Sequence, residues 1–90
     1  MSDLRYLRHA DLRLTELEGE GVVLHLKSRK YFSVNETGLT ILEALKQPRT
    51  FDELVAAILA EYEVTAEAAA ETTRAFLDHC LSTDVVETVE

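Results

Sequence analysis

The sequence lacks several features that define common classes of protein. Cys80 is the single cysteine, so no internal disulfide can form, and a reducing cytoplasm is the expected compartment. The N-terminal stretch MSDLRYLRHADLRL has no continuous apolar core of the kind that marks a signal peptide. No apolar run approaches the roughly 20 residues of a membrane span. The sequence therefore predicts a soluble cytoplasmic protein that has no membrane partner.

Signals of catalysis and of bound cofactors are also missing. His9, His25 and His79 are scattered, and no set of His, Cys, Asp or Glu has the spacing of metal ligands. His79 and Cys80 are neighbours, so on a helix their side chains diverge by about 100°. The Gly-Glu-Gly of residues 19–21 is typical of a hairpin turn and not of a phosphate-binding loop. We therefore expect a non-catalytic protein that holds no metal and no cofactor.

Acidic residues dominate the charge. The 90 residues carry 9 Lys and Arg against 17 Asp and Glu, a net charge of −8. Residues 31–90 alone have a net charge of −9, whereas residues 1–30 have +1. An acidic surface repels phosphate backbones, which argues against a nucleic-acid partner. The basic residues at 27–30 can attract an acidic partner, although such a cluster is more often a solvated turn.

The length and the N-terminal pattern predict one small domain. Ninety residues bury a modest core, so a deep catalytic cavity is not expected. Residues 1–10 show no clear period and are predicted to form a flexible N-terminal arm, which leaves residues 11–88 as the domain. Near the other end, the stretch DVVETVE can add a short strand or wing.

Three short strands are predicted before residue 35. Their apolar and β-branched residues alternate, and the connections at 18–21 and 27–29 are short and polar. Such connections favour an antiparallel meander. In a meander, the third strand keeps one open edge, and a guest peptide can cover this edge by adding a strand. Alternatively, the third helix or the N-terminal arm covers it. The predicted strands are residues 11–17, 22–26 and 30–34.

The segment YFSVNETG, residues 31–38, changes from strand to helix without a loop. Asn35 is a strong N-cap residue, because its side-chain oxygen can accept a hydrogen bond from a free amide of the first turn. Gly38 costs about 1 kcal/mol within a helix, so its presence suggests close packing against the sheet. Pro48 ends this first helix.

Two further helices follow. Thr50 and Glu53 have the capping-box pattern at the start of the second helix, and Thr65 can cap the third. The sequence thus predicts an α+β fold, in which a three-stranded antiparallel sheet is followed by three helices, as in a winged helix-turn-helix.

A winged-helix transcriptional regulator is the alternative function. Its third helix would enter the major groove of DNA. The corresponding helix here has a net charge of −2, which opposes phosphate neutralisation. Another alternative is a structural homodimer that pairs its edge strands. The charged residues of the predicted third helix are Glu67, Glu71, Arg74 and Asp78.

Four motifs in a fixed order resemble a known family. They are Y-F-x-V-N-E-T-G at 31–38, R-T-x-x-E-L-V at 49–55, E-Y-x-V at 61–64 and F-L at 76–77. Together they resemble the PqqD-like family, the relatives of coenzyme PQQ synthesis protein D that are also called RiPP recognition elements. The resemblance covers about residues 11–88.

The resemblance implies a winged-helix-like fold and a role as a non-catalytic adaptor. Such a protein binds the leader segment of a ribosomally made precursor peptide as an added strand and presents it to a modifying enzyme. That enzyme would be a radical SAM protein, a leader peptidase or a cyclase. PQQ-pathway members often have a Cys-Asp-Gly-like segment after the first helix, where this chain has Lys46-Gln47-Pro48. The motifs therefore look closer to the leader-binding proteins of lasso-peptide and related pathways.

The resemblance also implies a peptide-binding groove between the third strand and the third helix. We expect Thr73 and Leu77 to give apolar contact, and Arg74 and Lys30 to pair with leader carboxylates. The implied groove residues are Lys30, Tyr31, Phe32, Ser33 and Val34 on the strand, and Ala70, Thr73, Arg74, Leu77 and Leu81 on the helix.

Overall fold

The structure is a computed structural model that describes residues 4–89. Over this range the chain forms six strands and three helices. The strands are β1 (Arg5–Arg8), β2 (Leu12–Leu17), β3 (Glu20–His25), β4 (Lys30–Val34), β5 (Arg49–Thr50) and β6 (Val86–Val89), and the helices are α1 (Glu36–Ala44), α2 (Phe51–Glu61) and α3 (Ala66–Ser82).

The main sheet is the antiparallel meander predicted from the sequence. Its strands lie in the order β2-β3-β4, and Val23 of β3 pairs with Phe32 of β4. The three helices follow in chain order, so the predicted α+β architecture is confirmed. The third predicted strand is β4 of the structure.

A second small sheet joins the two ends of the chain. Its order is β5-β1-β6, and Arg5 of β1 pairs with Val89 of β6 and with Thr50 of β5. The sequence analysis assigned residues 5–8 to a flexible arm, whereas the structure places them in a strand. Four residues are too few to show a period, and the pairing partners lie far away along the chain. Residues 1–3 of the predicted arm lie outside the described residues.

The hydrophobic core lies between the main sheet and the helices. Ile41 and Leu42 from α1, its C-cap residue Leu45 and Leu54 from α2 are fully buried. From β3, Val23 enters this core, whereas its neighbours on either side along the strand are only half-buried on the opposite face. The aliphatic alternation predicted a strand but did not select the face that the helices cover.

The helices begin where their capping residues predict. At the start of α2, the Thr50 N–H donates to Glu53 Oε1 at 2.8 Å, and the Glu53 N–H donates to Thr50 Oγ1 at 3.2 Å. At the start of α3, the Ala68 N–H donates to Thr65 Oγ1 at 3.1 Å. These bonds satisfy amides that a helix leaves free in its first turn. Between residues 4 and 89, no helix has the length and apolar composition that crossing a membrane requires.

Candidate functional site

The main-chain groups of β3 point alternately towards its two neighbouring strands. The Leu26 N–H donates to the Asp11 carbonyl at 2.8 Å, so the main-chain groups of Leu26 face the β2 side. In an antiparallel ladder, the direction of these groups alternates from one residue to the next. Leu24 therefore also faces β2, and Val23 faces β4.

This alternation determines which groups of β4 lie at its open edge. Val23 is paired with Phe32, so the N–H and C=O groups of Phe32 face β3. The main-chain groups of Tyr31 and Ser33 then point away from the sheet. In residues 4–89, β4 pairs on the β3 side only, because it is the last strand of the order β2-β3-β4. Tyr31 and Ser33 thus present free donors and acceptors to an incoming strand.

The side chains of β4 divide between two environments. Phe32 and Val34 are half-buried and face the helices, whereas Ser33 lies on the opposite face of the sheet and is exposed. The Tyr31 side chain, also on that face, is 72% exposed. A strand added at this edge would place every second side chain against Phe32 and Val34.

A groove runs between β4 and α3. It contains a cavity of about 200 Å³, and its α3 wall is formed by residues at helical spacings of three and four. An apolar cavity of about 150 Å³ holds a benzene molecule, so this one has room for one apolar side chain. Its principal lining residues are Phe32, Val34, Phe76, His79, Cys80 and Thr83.

Gly38 brings the two walls of the groove together. The Asn35 side chain accepts a hydrogen bond from the Gly38 N–H at 2.9 Å, which confirms the predicted N-cap. A Cβ atom on Gly38 would lie 2.7 Å from Phe76 Cε1 and 3.2 Å from Val34 Cβ. The close packing predicted from this glycine is therefore present. The abrupt change in YFSVNETG connects the edge strand rigidly to the helices.

The α3 residues implied by the resemblance lie on a neighbouring face of that helix, outside the cavity. Thr73 and Leu77 are buried in the core, and the Thr73 hydroxyl donates to the Ala69 carbonyl at 2.8 Å. The Arg74 guanidinium lies over the Phe51 ring of α2, 4.9 Å from its centroid. Ala70 is half-buried and Leu81 is exposed; neither lines the cavity beside β4.

The cavity beside β4 is lined by other residues of α3 and of its C-cap. Phe76, His79 and Cys80 of α3 and the C-cap residue Thr83 follow one another at spacings of three, one and three, which are visible in the sequence. The apolar pattern shows which side of α3 faces inward. It does not show which part of that side meets β4 and which part meets α1 and α2.

The titratable groups in the groove give no sign of a reactive centre. Burial raises the pKa of the Cys80 thiol to about 12, so this group is protonated at neutral pH. Among residues 4–89, no group of three or more His, Cys, Asp or Glu side chains is arranged to hold a metal ion. The groove offers apolar contacts and main-chain hydrogen bonds.

An apolar groove beside an open strand edge is typical of the class of domains that take up an extended peptide as an added strand. Within that class, the chain belongs to the PqqD family. The sequence model of this family, Coenzyme PQQ synthesis protein D (PqqD), matches residues 20–86. The family resemblance drawn from the sequence motifs is confirmed. No curated protein matches this sequence.

Two solved structures have a similar fold. TbiB1, in complex with the TbiA(beta) leader peptide, aligns with a TM-score of 0.78 and 27% identity, covering 90% of this chain and 94% of TbiB1. Lasso peptide synthetase B1, complexed with the leader peptide, aligns with a TM-score of 0.75 and 17% identity, covering 91% of this chain and 96% of that chain. The second likeness concerns the fold alone. These matches give no support to the alternative of a winged-helix DNA-binding regulator.

Proposed function

We propose that this protein binds the leader segment of a ribosomally synthesised precursor peptide and presents it to a modifying enzyme. The observation that carries this proposal is the open edge of β4 beside an apolar groove. It occurs in a chain of the PqqD family that is similar to TbiB1, which was solved with a leader peptide bound.

The leader adds to β4 as a fourth strand of the main sheet. The main-chain groups of Tyr31 and Ser33 supply its hydrogen bonds, and the groove receives its apolar side chains. The strand wall is the one predicted from the sequence, residues 30–34. On the helix side, we assign peptide contact to Phe76 and His79 of α3 and to its C-cap residue Thr83, while Thr73 and Leu77 are buried in the core.

The protein acts as an adaptor and leaves the chemistry to its partner enzyme. That partner is a leader peptidase, a cyclase or a radical SAM protein, and the sequence motifs, with Lys46-Gln47-Pro48 after the first helix, favour a lasso-peptide or related pathway. Cytoplasmic location follows from the proposal, because ribosomes release the precursor peptide there. We take residues 11–88 as the peptide-binding domain, supported by β1 from the N-terminal side.

The proposal is tested with the leader of the precursor peptide encoded beside this chain. Titration into isotope-labelled protein is expected to give saturable NMR shifts that are concentrated in residues 30–34 and in the groove face of α3. Absence of shifts at high micromolar peptide contradicts the proposal for that leader. Duplex DNA is titrated in parallel, and binding that weakens steeply with salt would favour the regulator instead.

Ser33→Pro tests strand addition directly. Its amide points to the open edge, where proline is tolerated, so the fold is expected to persist while the affinity for the leader falls about tenfold or more. Ser33→Ala is the matched control, because it removes the hydroxyl but keeps the amide, and it should bind normally. Circular dichroism checks the fold of both variants. Equal affinity for the leader in both variants contradicts strand addition.

A further inference from the structure

The groove beside β4 changes its chemistry along the strand. Around Phe32 and Phe76 it is apolar. Towards the start of β4 it opens into a second hollow of about 440 Å³, which is bordered by Lys27 and Lys30. Phe32 and Thr83 line both spaces, so the two hollows are neighbours along the groove.

The second hollow has an excess of positive charge. Its lining includes two lysines, Lys27 and Lys30, and one acidic residue, Asp84. His25 also borders it, with Nε2 3.2 Å from the Asp84 carbonyl oxygen and Nδ1 accepting a hydrogen bond from the Ser28 N–H. Both ring nitrogens of His25 thus have partners within the protein.

The two lysines are available to a ligand. In residues 4–89 the side-chain ion pairs within 4.0 Å are Lys46–Glu43 and Arg49–Glu53, and neither involves the second hollow. A protein with a net charge of −8 thus has, at one end of its groove, two lysines beside a single acidic residue, and neither lysine is in one of these ion pairs. Such a site favours a carboxylate.

The geometry of an added strand determines the spacing between the two subsites. Lys30 and Phe32 lie two residues apart, so their side chains share the groove face of β4. The leader residues beside them also share this face and lie about 7 Å apart. One faces the apolar cavity and the other faces the lysines, with a single outward-facing residue between them.

We propose that the groove selects leaders in which an apolar residue is followed, two positions later, by an aspartate or glutamate. This inference rests on the proposed function and adds order and spacing to it. Antiparallel addition is the more stable pairing. An antiparallel leader passes Phe32 before it reaches Lys30, which gives the order apolar-x-acidic. The acidic residue sets the register, and the apolar residue supplies the buried contact.

A random-peptide display library, selected on the immobilised protein, tests this order across many sequences at once. Enrichment of apolar-x-acidic sequences is expected on the wild-type protein. On Lys30→Glu, the acidic preference should disappear. Lys46→Glu is the matched control, because it makes the same change of net charge at a lysine outside the second hollow, and it should retain the preference.

The possible results separate this inference from the proposed function. Enriched peptides without an acidic preference, with the reverse order, or with the same preference on Lys30→Glu overturn the inference. If such peptides still lose binding on Ser33→Pro, strand addition itself stands. Failure to enrich any peptide contradicts both proposals.

The affinity of one enriched peptide provides the quantitative test. Replacing its acidic residue with the corresponding amide is expected to weaken binding about fivefold. Replacing it with lysine should weaken binding further to the wild-type protein, and the Lys30→Glu variant should recover much of that loss. Additive effects of the two changes, with no recovery, would show that the carboxylate does not meet Lys30.

Discussion

At Gly38, the absence of a Cβ atom matters both for the packing of the core and for the distance between the groove walls. It lies in α1, where Phe76 and Val34 approach too closely for a side chain. Its amide is bonded to Asn35, so the same residue takes part in the cap and in the packing. A glycine that is unfavourable for an isolated helix is here required by the distance between the groove walls.

Replacing Gly38 with alanine is expected to destabilise the protein. The gain in helix propensity is about 1 kcal/mol, and overpacking costs about 1–3 kcal/mol. We expect a net loss of up to about 2 kcal/mol in the free energy of unfolding, measured with urea. In a Phe76→Leu background the contact with Phe76 Cε1 is absent, so the cost should shrink. The same cost in both backgrounds would show that Phe76 is not the obstacle.

At the scale of elements, α2 shows how local chemistry sets a helix boundary. Thr50 and Glu53 bond to each other's amides, and both residues are close in sequence. Hydrogen bonding to the Thr50 amide is the main cause that lowers the pKa of Glu53 below 4.5, and Thr50 Oγ1 and the charges of Arg49 and Arg5 act in the same direction. The start of α2 is therefore more stable when Glu53 is ionised.

This lowered pKa predicts a dependence of stability on pH. Stability from the ionised carboxylate is present above pH 4.5 and is lost as the pH falls through the lower pKa of the folded state. At neutral pH the wild-type protein should be more stable to unfolding than Glu53→Gln. This difference in stability should shrink as the pH is lowered, because glutamine keeps the acceptor oxygen but does not titrate. Urea unfolding of both proteins at neutral and acidic pH measures the difference. A difference that does not change with pH would contradict the prediction.

The open edge of β4 and the groove-lining face of α3 have different structural origins. The edge follows from the order of three consecutive strands, which short turns already favour. The groove face of α3 follows from how that helix crosses the sheet. For this reason the sequence indicates the edge strand directly, whereas the part of α3 that lines the cavity beside β4 depends on the packing of the helix.

At the scale of the whole molecule, the second sheet ties the chain together. β1 pairs with β6 and β5, so its residues contact two distant parts of the sequence. The Arg8 N–H also donates to the Leu45 carbonyl at 3.2 Å, and the His9 N–H to the Val85 carbonyl at 2.8 Å. These bonds attach the N-terminal segment to the main chain just after α1 and just after α3.

Tyr6→Ala tests whether this attachment contributes to stability. Tyr6 is half-buried against the core, so its truncation is expected to cost about 1–3 kcal/mol in the free energy of unfolding. Arg5→Ala is the control from the same strand, because its side chain is exposed and little change is expected. Denaturant unfolding compares the two variants. A negligible cost for Tyr6→Ala would support the flexible arm predicted from the sequence.

Features that depend on neighbouring residues could be predicted from the sequence. Asn35, Thr50 and Thr65 mark helix starts because each bonds to an amide three residues away. The turns, the meander and the family motifs are likewise local or follow chain order. These features were sufficient to predict the fold class and the edge position of the third strand of the meander.

Tertiary structure decided which faces are covered and which distant segments pair. Alternation in β3 is compatible with either face in the core, and the helices cover the face of Val23. β1 exists as a strand because β6 and β5 lie beside it, at separations that no local period encodes. The α3 residues that line the groove depend on the crossing of helix and sheet. Which face is buried and which segments pair depend on the packing of the whole core. A short stretch of sequence is therefore not sufficient to predict them.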